Sequence, residues 1–325
     1  MYKEFFKLHR NPFELTPDPS FLFPTKRHNE ALAALYYGVR RHSGFVVMTG
    51  EVGTGKTLLV RCLLELLRRT DVGFAYVFNT RLSPLEFIRY IAGDLGIAVA
   101  GKAKDELLLE LSAFLVQRHR KRLTTLLVVD EAHHLTPEVL EEVRLLTNLE
   151  TAQEKLLQIL LVGQPELDDK LDSWELRQLK QRVAMRCHLE PLVSDETKEY
   201  VRRRLQVAGA EAPASIFPDA TLAQVHRHSR GIPRLINTVC ENALISAYAR
   251  QTSRIPPEVI DEVAADLRLG VVSAPSPAPG DGNGNGREDV QRAVRTLLDL
   301  HDYLQAARVK EKESLIPITP GVKRG

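Results

Sequence analysis

The chain has 325 residues, enough for one large or two ordinary domains with a substantial core. Lysine and arginine (44) exceed aspartate and glutamate (42) by 44 − 42 = 2, so no overall field demands a nucleic acid or an anionic membrane as partner. Cys62, Cys187 and Cys240 lie far apart and in no C-x-x-C or Cys/His pattern, which excludes a disulfide framework and a sequence-legible zinc site.

The early stretch FFKLHRNPFELTPDPSFLF alternates aromatics and prolines, which predicts an extended, tucked-in segment anchored by Phe13 and Phe21, not a helix. A helix is expected over His28 to Arg41. Buried strands and helices then alternate. The strands are GFVVMT, GFAYVFN, LTTLLVVD, LLQILLVG and VAMRCHL. The helices fall at Lys56 to Arg69, Pro84 to Leu95, Lys104 to Arg120 and Pro137 to Leu149, with helical pieces from Glu166 to Gln181. Short apolar strands between helices imply an α/β fold whose parallel sheet is covered on both faces.

After Pro191 only helices are expected, at Ser194 to Val207, Asp219 to His228, Pro233 to Arg250 and Pro257 to Leu267. The domain reading is therefore a core over 1–191, a helical lid over 192–268, a Pro/Gly linker over 269–286, an amphipathic helix over 287–312 and a tail over 313–325. The linker, with SAPSPAPGDGNGNG, is too poor in apolar residues to build a core. Val290, Val294, Leu297, Leu298 and Leu304 share one face of the amphipathic helix; periodicity does not choose between docking on its own chain and docking on a partner. No segment approaches the ~18 continuous apolar residues of a membrane span, so a cytoplasmic location is expected, at most peripheral to the inner membrane.

Gly50-x-x-x-x-Gly55-Lys56-Thr57 meets the P-loop pattern between a buried strand and a helix start. Gly50, Gly53 and Gly55 let the backbone curl, so that N–H groups through Thr54 and up to Leu58 point at phosphate oxygens. Lys56 supplies charge to the β- and γ-phosphates, and the Thr57 hydroxyl is a Mg²⁺ ligand. ATP and Mg²⁺ are the expected cofactors. Asp130 ends the run LLVVD and is expected to hold Mg²⁺ through water, while Glu131 orients and deprotonates the attacking water. The letters Asp130-Glu131-Ala132-His133 also spell a helicase signature, but such enzymes carry a second αβ nucleotide-binding domain, and the chain after Pro191 reads as helix. His133 and His134 are expected at the surface or behind the site and not as metal ligands, because no third ligand is in view.

A bound triphosphate needs further donors. Gln164, at the tip of LLQILLVG, stands where a side chain contacts the γ-phosphate or the water. Arg182 precedes the last strand and is placed to reach a nucleotide on a neighbouring subunit. Arg234, in GIPRLIN at a sharp helix entry, is expected to touch the phosphates in cis.

The order of these motifs resembles the AAA+ ATPases, and the wording of HNEALAALYYGVR, RLSPLEFI, LTPEVLEEVRLLTNLET, ELRQLKQRVAMRCHLEPL and GIPRLINTVCENALISAYA resembles the ExeA/GspA-type secretion ATPases, over Met1 to Leu267. The resemblance implies Walker A at Gly53, Gly55, Lys56 and Thr57, Walker B at Asp130 and Glu131, sensor 1 at Gln164, an arginine finger at Arg182 and sensor 2 at Arg234. It also implies that the segment near Phe13 to Phe21 closes over the adenine. Members of this group usually read Asp-Glu-Ala-Gln-Asn where this chain has His133 and His134. They commonly continue into a membrane span and a peptidoglycan-binding module, neither legible in these 325 residues; shorter relatives resemble ATPases of polysaccharide-export and exosortase loci.

Two functions follow. One is a homo-oligomeric ATPase, its finger acting in trans, that drives assembly of a secretion or export complex. The other, by resemblance to Tn7-like target-selection ATPases, is a DNA-binding regulator of transposition, with VRRRL (201–205) and HRHSR (226–230) contacting phosphates. A P-loop kinase, a third reading, lacks an evident acceptor site.

Overall fold

The computed structural model describes residues 2–15 and 18–269. The linker beyond Leu269, the expected amphipathic helix and the tail lie outside the described residues.

The chain begins with a short helix α1 (Tyr2–Phe5) and a 3₁₀ turn (Pro19–Phe21), then α2 (Lys26–Arg40), β1 (Phe45–Gly50), α3 (Lys56–Leu67) and β2 (Val72–Val77). It continues through α4 (Pro84–Asp94), α5 (Lys104–Arg120), β3 (Thr124–Val129), a 3₁₀ turn (Ala132–His134), α6 (Pro137–Leu146) and β4 (Gln158–Gly163). Then come α7 (Glu166–Leu171), a 3₁₀ turn (Trp174–Leu176), α8 (Arg177–Lys180) and β5 (Met185–Leu189). Helices alone follow: α9 (Ser194–Val207), α10 (Pro213–Ile216), α11 (Asp219–Ser229), α12 (Pro233–Ala249) and α13 (Pro257–Asp266).

The five strands form one parallel sheet in the order β2-β3-β4-β1-β5. Both faces are apolar because alternate residues of each strand enter different cores. Phe45, Val47, Leu127, Val129, Ile159 and Leu161 join the core under α4, α5 and α6. Val46, Met48, Leu126, Val128, Leu160 and Val162 join the one under α2 and α3. Side chains buried on both faces explain why these strands read as unbroken apolar runs. The helix starts carry local signals: Thr25 accepts from the His28 N–H, and Ser83 and Glu86 form a reciprocal capping box.

Because β1 sits between β4 and β5 while its successor β2 lies at the far edge, the chain reverses direction at the carboxyl end of β1. A crevice opens there, as parallel sheets require. The all-helical part builds a separate core from Val201, Leu205, Ile236, Val239 and Leu244, among others.

The amino-terminal segment is extended but for its two ends: α1 closes on its first residue, Phe5, where Phe6 and Leu8 are drawn into the helical core, and a 3₁₀ turn forms at Pro19–Phe21. Phe13 and Phe21 are buried anchors, and they fasten the segment to the helical part. Phe13 packs edge-on against Phe217, and Phe21 lies under the guanidinium of Arg204 with the cation 4.4 Å from the ring centre. Arg204 is itself buried, donating to the carbonyls of Pro12 and Glu14 and, at 2.9 Å, to the Tyr200 hydroxyl.

Candidate nucleotide site

The loop from β1 to α3 curls around its own lysine. Lys56 Nζ donates to the carbonyls of Gly50 (2.7 Å) and Glu51 (2.9 Å), and burial lowers its pKa against the pull of Glu131, Asp130, Glu51 and Glu166. The first turn of α3 leaves N–H groups with no partner inside the helix, which is where an anion binds. At the loop's apex Gly53 has φ +83°, and a Cβ there would lie 2.6 Å from Cβ of Arg234. The Arg234 backbone N–H donates to the Gly53 carbonyl at 3.2 Å, so α12 starts directly on the loop. Gly231, at φ +74°, makes that entry possible: a Cβ there would overlap the Leu192 carbonyl oxygen at 1.9 Å.

Behind the loop, Asp130 is held on three sides. Thr57 (3.0 Å) and Tyr76 (2.7 Å) both donate hydroxyl protons to its Oδ2, and the Glu131 N–H donates to Oδ1 (2.9 Å). Burial and the Asp130 charge raise the Tyr76 pKa, so the phenol stays a donor. Glu131 itself takes φ 52°, ψ 37°, a left-handed conformation that costs about 1 kcal/mol and turns its half-exposed carboxylate toward the crevice.

His133 links Glu131 to Gln164. Its Nδ1 lies 3.4 Å from Glu131 Oε2 and 3.4 Å from the Gln164 backbone N, and its Nε2 lies 3.0 Å from the Gln164 side-chain amide. Burial, then the neighbouring His134, lowers its pKa, which favours the neutral ring. A neutral ring that accepts at Nδ1 carries its proton on Nε2. The amide oxygen of Gln164 then belongs against His133, and its NH₂ is left to donate elsewhere. His28, under the loop, is buried with its Nδ1 2.7 Å from Thr25 Oγ1 and hydrogen-bonds the Thr54 backbone.

Of the expected residues, Gly53, Gly55, Lys56, Thr57, Leu58, Glu131, Gln164 and Arg234 line one cleft of about 360 Å³. That volume falls within the roughly 300–1,000 Å³ of small-molecule sites. Glu14, Leu15, Tyr200, Arg204 and Asn237 close its other side. The wall from the amino-terminal segment is thus Glu14, Leu15 and Asp18; Phe13 enters the helical core instead, and Phe21 lies under the guanidiniums of Arg10 and Arg204. Gly50 and Thr54 shape the loop from behind, with Thr54 Oγ1 donating to the Glu51 carbonyl at 2.8 Å. Arg182 is absent from the cleft lining, and its Nη1 donates to Thr147 Oγ1 at 2.7 Å. In the basic stretches expected to meet DNA, Arg202 pairs with Asp219, Arg204 is buried, His226 lies 2.9 Å from Thr197 Oγ1 and His228 2.7 Å from Asp261.

Sequence reasoning missed Tyr76, His28 and the bridging role of His133. Tyr76 had a signal: it is a hydroxyl in the strand beside the Asp130 strand, in register with Val128.

A five-stranded parallel sheet, a P-loop at the carboxyl end of β1 and a helical cap seated on that loop define an AAA+ P-loop NTPase fold. Residues 39–171 match the family described as AAA domain. The structure is similar to the ORC2 protein of Aeropyrum pernix, in ADPNP and ADP complexes (TM-score 0.61, 17% identity, 81% of this chain and 73% of that one). It is also similar to Cdc6p from Pyrobaculum aerophilum (TM-score 0.60, 20% identity, 80% and 72%). At such identities the likeness shows the fold alone.

In sequence the chain is 46% identical over 256 residues to General secretion pathway protein A of Aeromonas hydrophila, across 78% of this chain and 46% of that protein. The resemblance to ExeA/GspA-type ATPases therefore holds, and the chain spans about half the length of that relative. Among the described residues, no helix is long and apolar enough to cross a membrane.

Proposed function

We propose that the chain is an ATPase that binds ATP with Mg²⁺, associates with copies of itself when nucleotide is bound, and uses hydrolysis to drive assembly of a bacterial secretion or polysaccharide-export complex. The observation that carries the ATPase reading is the convergence of Lys56, Thr57, Glu131, Gln164 and Arg234 on one cleft, with Asp130 bonded to Thr57 behind it.

The cleft fits the group it would hold. Thr57 and Asp130 offer oxygen donors 3.0 Å apart, the chemistry a hard cation takes, and Mg²⁺ there would offset charge on the phosphates. Lys56 leaves the Gly50 and Glu51 carbonyls to meet phosphate oxygens, and the α3 first turn adds N–H donors. Arg234, in the lid, supplies a second cation from the opposite side. Glu131 accepts the proton of the attacking water, and Gln164 orients that water or the terminal phosphate through its amide NH₂.

Arg182 serves the site of a neighbouring copy. What supports this is its place outside its own cleft and the exposed Trp174 (77%) in the segment leading to it, an apolar group suited to a subunit contact. The secretion assignment rests on the similarity to General secretion pathway protein A.

Replacement of Glu131 by glutamine tests the chemistry. The variant should hold ATP in a filter or fluorescence assay while releasing little phosphate. Phosphate release at the native rate would remove Glu131 from its role.

A further inference from the structure

At the other end of the sheet, where β1, β3 and β4 begin, three side chains from separate parts of the chain meet. His42 follows α2, His119 closes α5, and Glu154 belongs to the turn before β4. Their ligand atoms all lie within 4.8 Å of one another. Glu154 Oε2 is 3.4 Å from His42 Nδ1 and 3.7 Å from His119 Nδ1. A tetrahedral Zn²⁺ with ligands at ~2.0–2.1 Å sets neighbouring donors about 3.3–3.4 Å apart, so these separations need only small side-chain adjustments.

Two further observations point the same way. His42 Nδ1 is buried and has no hydrogen-bond partner, although the carboxylate faces it. The opposite ring nitrogen, Nε2, lies 3.1 Å from the hydroxyl of Thr124, itself buried at the start of β3. In the tautomer whose Nε2–H donates to Thr124, the lone pair of Nδ1 points at a carboxylate oxygen. Two acceptors then face each other, and a cation between them satisfies both. A hydrogen bond from the distal nitrogen is also how protein-bound metals fix the tautomer of their histidines.

We propose that His42 Nδ1, His119 Nδ1 and Glu154 bind one Zn²⁺-class divalent transition ion. The site opens onto a cleft of about 610 Å³, so a fourth position is left for water. Arg120 and Arg122 stand on the rim of this cleft and favour an anionic or hydroxide fourth ligand over a neutral one. The ion would clasp the Glu154 turn to α2 and α5 at the end of β4 remote from Gln164. Its primary effect is on stability of the sheet's lower edge and not on the reaction.

The test uses untagged full chain, freed of metal by chelation and dialysis. Zn²⁺ is titrated against a chromogenic chelator, and Co²⁺ is added separately to read its visible d–d absorption. One equivalent per chain should bind, with the intense bands of four-coordinate Co²⁺ and a rise in Tm. Glu154→Gln and His119→Gln, made singly, should each weaken binding by more than the roughly 10- to 100-fold that loss of an outer-shell partner costs, and abolish the Tm rise. Asp130→Asn, at the other end of the sheet, should leave both intact. Far-UV circular dichroism identifies any variant that fails to fold, and His42→Gln then supplies the second reading. Absence of binding in the chain itself would overturn the proposal and reduce the cluster to an ion-paired carboxylate. So would binding that is indifferent to both Glu154→Gln and His119→Gln, or one lost only with Asp130→Asn.

Discussion

Gly53 and Arg234 are 181 residues apart in the chain and in contact in the fold: the N–H of one donates to the carbonyl of the other at 3.2 Å, with no room for a Cβ between them. Replacing Gly53 by alanine forces a left-handed alanine against Arg234 Cβ. The helical cap must then lift from the loop, carrying Arg234 with it. We expect Gly53→Ala to remain folded, to lose about tenfold or more in kcat/KM for ATP, equivalent to about 1.4 kcal/mol or more, and to bind ATP more weakly. Steady-state phosphate release at several ATP concentrations checks both.

Arg182 and Lys56 belong to different sites if the finger acts between copies. Arg182→Ala and Lys56→Ala should each be inactive alone, and mixing them should recover part of the activity, because one interface in the mixture carries an intact Arg182 opposite an intact Lys56. Size-exclusion runs with ATP must show that both variants still associate. With association intact and no recovery, the shared site is refuted.

His133 gives the site a pH response. Neutral, its Nδ1 accepts from the Gln164 N–H; protonated, the same nitrogen turns donor toward Glu131 and competes for the carboxylate that must accept a proton. Its lowered pKa, caused first by burial and then by His134, puts this change below the ordinary histidine range of about 6.5. Turnover should fall on the acid side of that range. His133→Gln keeps a hydrogen-bonding group and removes the titration, so its profile should be flatter there. An unchanged acid limb in that variant would clear His133 of responsibility.

His28 ties stability to pH in the same direction. Burial depresses its folded pKa below the unfolded value of about 6.5, so the unfolded chain takes up the proton first as pH falls. Its contribution is whole above that pH and declines below it, toward the folded pKa. Between pH 7.5 and 5.5 the Tm of the parent should drop by more than that of His28→Gln, as read by thermal denaturation in matched buffers.

Arg204 fastens the amino-terminal segment. Arg204→Ala strands the Pro12 and Glu14 carbonyls and takes one of two stacked guanidiniums, the other being Arg10, from the Phe21 ring, at an expected cost of about 2–4 kcal/mol. Urea denaturation measures the loss. Faster proteolysis near Phe13, with the rest of the chain still protected, would mark the segment as the part released.

The sheet was legible because strands buried on both faces read as apolar runs, and helix starts such as Ser83-Pro84 carry their caps in adjacent residues. The P-loop was legible for the same reason: its chemistry is written in eight consecutive letters. Tyr76, His133 and Arg204 were not, because each acts on a residue brought near by tertiary packing. Arg204 read as one of three consecutive arginines, and only burial separates it from Arg203. The aromatic anchors were found as anchors, yet Phe13 enters the helical core and Phe21 stacks under two guanidiniums, a choice that periodicity in a proline-rich stretch does not encode.

The fastening of the amino end to α9 has a consequence for biosynthesis. The His9 N–H donates to the Ala208 carbonyl, and Arg204 holds Pro12 and Glu14, so these residues find their seat only after about 190 later ones have been made. Until then Phe6, Leu8 and Phe13 are exposed on a nascent chain whose sheet can already form, a natural point of engagement for chaperones. Because Glu14 and Leu15 make one wall of the cleft, a translation product that stops short of α9 has a P-loop but no finished pocket around it.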